Sequence, residues 1–121
     1  MHQSIKVLSC AALLFAGTTA SAQDAAAGKT SFAQCSACHS VEGNNGVGPS
    51  LQGVLGRGAG SVSGFRYSQA MKAVAKTWDA ASLNDFIAHP QQAIPGNAMP
   101  FAGVADAKVR ADIVAYLITL K

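Results

Sequence analysis

Two thiols one helical turn apart, followed at once by an imidazole, constrain this chain more than any other feature: Cys35-Ser36-Ala37-Cys38-His39. Several chemistries use such a pair. A thioredoxin-like redox site expects a preceding strand and a βαβ setting, whereas the residues ahead of Cys35 read as a helix. A zinc site would need Cys35, Cys38, His39 and His89, and the adjacent Cys38 and His39 are poorly placed to reach one metal together. A simple disulfide is compatible with the spacing. The remaining chemistry is covalent haem attachment: thiols at this spacing can add to the two vinyl groups along one side of a porphyrin. The next residue, His39, is then brought beneath the iron, so attachment and proximal ligation come from one segment. The export signal and the helical setting favour this last reading.

The chain has 121 residues, room for one domain and a targeting segment. Residues 7–16 form a short apolar run behind Lys6, and Ala20-Ser21-Ala22 is the small-residue pattern that signal peptidases cleave. The run is too short to span a bilayer permanently. Residues 1–22 are therefore predicted to be a signal peptide, and residues 23–121 a single domain exported to the periplasm. Cys10 lies inside the apolar run, whereas a lipid-anchored cysteine normally follows one. The exported domain keeps only Cys35 and Cys38, too few for the disulfide framework of small secreted proteins. A domain of this size gains from a buried cofactor.

Without Lys6, eight Lys and Arg stand against six Asp and Glu, a formal charge of +2 before any cofactor is counted. The basic residues are spread singly from Lys29 to Lys121, with no clustered basic face interleaved with aromatics, which argues against nucleic-acid binding.

Periodicity predicts three main helices. The first runs from Asp24 to about Ala33, with Phe32 as its main apolar contact, and leads into Cys35. The second runs from Asp79 to about Ala88, with Leu83, Phe86 and Ile87 on one face and Pro90 as its stop. Asp106 caps the last, in which Val109, Ile113, Tyr116, Leu117 and Leu120 recur at helical spacing. Ser68 to Ala75 adds a short fourth, with Ala70, Met71, Val74 and Ala75 inward. Between Gly43 and Gly64 stand eight glycines and Pro49 without sustained periodicity, which predicts a long irregular loop. So long a loop needs a surface to wrap, and a large flat cofactor would provide one.

The sixth iron position decides between electron transfer and ligand chemistry. Candidates are Met99, Met71 and His89. Met99 lies in Ile94-Pro95-Gly96-Asn97-Ala98-Met99-Pro100-Phe101, where prolines and a glycine shape an extended loop able to return across the opposite haem face. Met71 sits on the inward side of a short helix and His89 precedes a proline at a helix end, so both read better as ordinary structural residues. A neutral thioether opposite His39 favours ferrous iron and a comparatively high potential.

Beyond the attachment motif, the chain carries Gly48-Pro49-Ser50-Leu51, Gly56-Arg57, Gly64-Phe65-Arg66-Tyr67, Thr77-Trp78, Ile94-Pro95-Gly96 with Met99, and Phe101-Ala102-Gly103. Together these resemble class I cytochromes c, especially the bacterial cytochrome c2 and mitochondrial group, over essentially all of residues 23–121. The resemblance implies an all-α fold: three main helices, a short one, and long loops wrapped around one covalent haem c. It implies cofactor roles for Cys35, Cys38, His39, Pro49, Arg57, Tyr67, Trp78 and Met99, with His39 and Met99 on the metal. The Pro49 carbonyl would accept from the second ring nitrogen of His39. Tyr67 and Trp78 would donate to a haem propionate, with Arg57 nearby. Gly28 and Phe32 would pack against Ile113 and Tyr116.

Departures from the family pattern are informative. Phe86 stands where the family commonly has tyrosine and Met71 where it has asparagine, so the polar network beside Met99 is reduced. Gln34, Gln91, Gln92, Ala98, Ala105 and Asp106 stand where mitochondrial members carry a ring of docking lysines. The implied function is a monomeric one-electron carrier, not an enzyme. Its implied partners are redox proteins such as a quinol-cytochrome c reductase, a terminal oxidase or a periplasmic dehydrogenase, met without strong basic docking. The alternatives are a dedicated subunit of one enzyme complex, or a haem enzyme or gas-binding protein with a displaceable sixth ligand.

Overall fold

The computed structural model describes Ala12 and residues 23–121. The predicted cleavage region and Cys10 lie outside the described residues. The first helix, α1 (Ala25–Ser31), starts where Asp24 adopts extended dihedrals and its carboxylate accepts from the Ala26 and Ala27 N–H groups at 2.9 and 3.1 Å. That side chain satisfies donors left free at a helix start. Phe32 keeps helical dihedrals, φ −62° and ψ −14°, and α2 (Ala33–Ser36) follows directly. The Cys35 carbonyl then accepts from the Cys38 and His39 N–H groups at 3.1 and 3.0 Å. The helical path therefore continues past the expected end near Ala33 into the thiol motif, where no proline or glycine interrupts it.

Residues 39–68 contain neither helix nor strand, in line with the expected irregular loop. An isolated antiparallel bridge joins Gly58 to Thr77. Around it, Trp78 N–H donates to the Arg57 carbonyl at 2.9 Å and Ala59 N–H to the Lys76 carbonyl at 2.8 Å. Periodicity could not announce this pairing, because two short stretches make it without alternating side chains. The loop is followed by α3 (Gln69–Ala73), capped by the Ser68 hydroxyl accepting from Met71 N–H at 3.1 Å.

A reciprocal cap opens α4 (Ala80–Ala88): Asp79 accepts from Ser82 N–H at 2.7 Å, and the Ser82 hydroxyl accepts from Asp79 N–H at 2.9 Å. Pro90 ends α4 as expected and also starts α5 (Pro90–Ala93), a turn that the apolar pattern does not reveal. Proline at the first helical position has a suitable φ and lacks an N–H that would have gone unpaired anyway. The last helix, α6 (Ala107–Ile118), begins with Asp106 accepting from Val109 N–H at 3.0 Å.

The termini of the domain meet where α1 crosses α6. A Cβ on the buried Gly28 would overlap the Asp112 carbonyl, so only glycine allows so close a crossing. Phe32 meets Tyr116 edge to face with ring centroids 5.3 Å apart. Asp112 is buried at the crossing, yet its carboxylate accepts from Asp24 N–H at 2.9 Å and from Lys108 Nζ at 2.6 Å. Ile113 and Leu117 of α6 join Val54, Trp78, Leu83 and Phe86 in one apolar core. Among the described residues no helix is long and apolar enough to cross a membrane.

Candidate haem site

Helical winding through α2 presents Cys35 and Cys38 on consecutive turns, both as free, part-buried thiols. Burial first, and the neighbouring Cys38 second, push the Cys35 thiol above its usual value. That direction is opposite to the thiolate-stabilising surroundings of a dithiol oxidoreductase. No strand precedes the motif among the described residues, so the βαβ setting of that chemistry is missing there. Nor do three His, Cys, Asp or Glu side chains gather among the described residues in a metal-holding group of the kind zinc requires.

His39 is oriented from two sides. Its Nδ1 lies 2.7 Å from the Pro49 carbonyl oxygen, and because a carbonyl can only accept, Nδ1 carries the proton. In the neutral ring Nε2 is then the nitrogen with a free lone pair, which can bind a metal. Gly48 is buried against the imidazole, where any Cβ would run into the ring. The loop is laced to the motif by Gly48 N–H donating to the Cys38 carbonyl at 2.8 Å and Leu51 N–H donating to the Ser40 carbonyl at 2.8 Å.

Sequence reasoning missed the residues that aim the Pro49 carbonyl. Ser50, only 3% exposed, accepts at its hydroxyl from Gly43 N–H at 3.0 Å and donates its N–H to Asn45 Oδ1 at 3.0 Å. Asn45 Nδ2 donates onward to the Ser63 carbonyl at 3.1 Å. The signal available was the Asn-Asn-Gly and Pro-Ser pattern, whose side chains commonly bond nearby backbone. The long-range Ser63 bond leaves no local trace.

Arg57 and Trp78 flank the Gly58–Thr77 bridge, and Tyr67 lies near Arg57. Arg57 Nη1 donates to the Gln52 carbonyl at 3.1 Å, burial lowers its pKa, and the nearby Tyr67 acts in the opposite sense. The Tyr67 hydroxyl accepts from Val62 N–H at 3.0 Å, which leaves its own hydrogen to donate elsewhere. Trp78 is 7% exposed, its ring 5.2 Å from that of Phe86. These groups offer a carboxylate a guanidinium, a phenol and an indole N–H.

Of the candidates for the sixth position, Met99 is half-buried against the same apolar core as Cys35. Met71 is half-buried on α3, and His89 is exposed at the joint between α4 and α5. Asn97, which sequence reasoning passed over, is buried beside Met99 and accepts from its N–H at 2.9 Å.

The donor set fits a covalently attached haem: two free thiols at the required spacing, an imidazole with one nitrogen tied and the other available, and a glycine wall against that imidazole. Comparison with known proteins agrees. The family model described as cytochrome c matches residues 25–121. Cytochrome c2 iso-2 of Magnetospirillum molischianum is 50% identical over 99 residues, covering 81% of this chain and 99% of that protein. Cytochrome c-type cyt cy of Rhodobacter capsulatus is 44% identical over 98 residues, 80% of this chain, which spans about half of that protein (49%). The solved structure of cytochrome cH from Methylobacterium extorquens is 48% identical, with a TM-score of 0.77 over 79% of this chain and 98% of that one. Its thiol-imidazole turn, its helical architecture and these matches together mean that the chain belongs to the cytochrome c family, as a class I member whose cofactor is covalent haem c.

Proposed function

We propose that this haem c electron carrier works in the periplasm, where it moves single electrons between redox proteins such as a quinol-cytochrome c reductase or dehydrogenase and a terminal oxidase. Residues 1–22 would direct export and be removed. Cys35 and Cys38 would form the two thioethers, with His39 and Met99 as axial ligands. Bound haem c supplies a one-electron ferric/ferrous couple.

The observation that carries this reading is the 2.7 Å bond between His39 Nδ1 and the Pro49 carbonyl, backed by Gly48. It fixes both ring orientation and tautomer, and raises the basicity of Nε2 as a ligand. Met99 would add an uncharged sulfur, which holds the reduced state in favour. Arg57, Tyr67 and Trp78 would neutralise and solvate a propionate beside the core. With His39 and Met99 both holding the metal, no position would be left there for a substrate, as suits a carrier rather than an enzyme.

The wild-type protein and one variant test the proposal. Protein secreted by a host equipped for cytochrome maturation should have the mass of residues 23–121 plus one haem, and acid-acetone should leave its colour with the polypeptide. Colourless protein, or haem released by the solvent, refutes attachment. Met99→Ala should abolish the methionine-to-iron charge-transfer band of the ferric protein and lower its potential. An unaltered ferric spectrum in that variant assigns the sixth position to another residue.

A further inference from the structure

The loop bearing Met99 is tied down by one buried side chain and by a second, exposed one on its outer side. Asn97 is 6% exposed, and its carboxamide nitrogen donates to the Pro90 carbonyl at 2.8 Å and the Ile94 carbonyl at 2.9 Å. Its Oδ1 accepts from Met99 N–H at 2.9 Å. Both amide hydrogens and the amide oxygen are therefore committed, the hydrogens to α5 and its C-terminal cap, the oxygen to Met99. Gln91 closes the loop from outside: its Nε2 donates to the Asn97 carbonyl at 2.9 Å, and its Oε1 accepts from Gly96 N–H at 3.3 Å. Gly96 has φ +85°, which a side chain would resist, so the chain reverses there and returns toward Met99.

We infer that Asn97, supported by Gln91, is the positioning residue that locks Met99 in place as the sixth ligand. The inference rests on the ligand role proposed above for Met99 and deepens it. An isolated turn as short as α5, four residues long, has little stability of its own. Asn97 makes that turn and the ligand loop one hydrogen-bonded unit, so moving Met99 away breaks bonds that water replaces poorly in a buried place. Gln91, though exposed, thus has a structural duty in this chain.

A small competing ligand reads the lock directly, because its apparent affinity is scaled by the fraction of molecules whose sixth position is open. Ferric holoprotein is titrated with imidazole, and the methionine-to-iron band is followed with pH, for wild type, Asn97→Ala and Gln91→Ala. The expected result is imidazole affinity raised roughly tenfold in Asn97→Ala and roughly twofold in Gln91→Ala. The band should disappear at lower pH in the same order. A merely structural role would lower the denaturation midpoint of Asn97→Ala while leaving both readouts of the folded protein unmoved. That result overturns the lock. If Asn97→Ala yields no folded holoprotein, Gln91→Ala decides alone, since Gln91 is exposed and outside the core, and unchanged imidazole affinity there overturns the lock. Wild type lacking the band removes the ligand role of Met99 and the lock with it. A normal band with unchanged affinities removes the lock alone.

Discussion

The imidazole of His39 is fixed by a carbonyl on one nitrogen and by a glycine against its flank, so that flank tolerates no added methyl. Gly48→Ala is accordingly an overpacking substitution, because the new methyl must displace either the ring or the Pro49 segment of the loop. Chemical denaturation of the holoprotein should register a loss of about 1–3 kcal/mol. An unchanged midpoint would mean that the loop has slack which the tight His39 to Pro49 approach denies. Much of this site was legible before folding: Cys35, Cys38 and His39 are contiguous, and their chemistry depends on spacing alone. Asn97 and Ser50 were not, since what distinguishes them from ordinary turn residues is the burial of their side chains, 6% and 3% exposed.

Each longer helix begins at an aspartate: Asp24 for α1, Asp79 for α4 and Asp106 for α6. Caps of this kind act locally, which is why the starts of these elements were predictable. The polar anchor of the α1–α6 crossing, Asp112, is another matter. There Asp112 accepts from Lys108 and from Asp24 N–H, and in that order the two hold its carboxyl below the usual aspartate range, against the opposing effect of burial. A lowered folded-state pKa means that the unfolded chain binds more protons at moderately acid pH, so stability rises with pH there. The contribution is complete above the ordinary carboxylate range. It is lost as pH falls from about 4 through the lowered value. Asp112→Asn should therefore show a smaller decline in unfolding free energy than wild type below about pH 4, with the two curves parallel at neutral pH. Curves that stay parallel into acid would deny the carboxylate this linkage.

Residues 23–121 carry little net charge, with eight basic and six acidic residues before the cofactor is counted. Long-range attraction steers encounter in proportion to such fields, and ions screen it over about 10 Å at 0.1 M salt. Electron exchange with a redox partner should therefore slow by less than about threefold as ionic strength rises from about 10 to 200 mM. A steep salt dependence in stopped-flow kinetics would point to a charged docking face that neither Gln91 nor Gln92 supplies.

Covalent haem attachment, the three helix starts and the irregular middle of the chain follow from sequence alone, because each depends on neighbours within a few residues: a thiol spacing, a capping carboxylate, a density of glycine. The family resemblance already implied the contact at Gly28 and the grouping of Arg57, Tyr67 and Trp78, whereas the Asp112 anchor of the α1–α6 crossing, the Gly58–Thr77 bridge and the clamp on Met99 required the folded chain. They join residues that are distant along the backbone, or turn on whether a polar side chain is buried. Such relations depend on which surfaces pack together, and a one-dimensional pattern does not record packing.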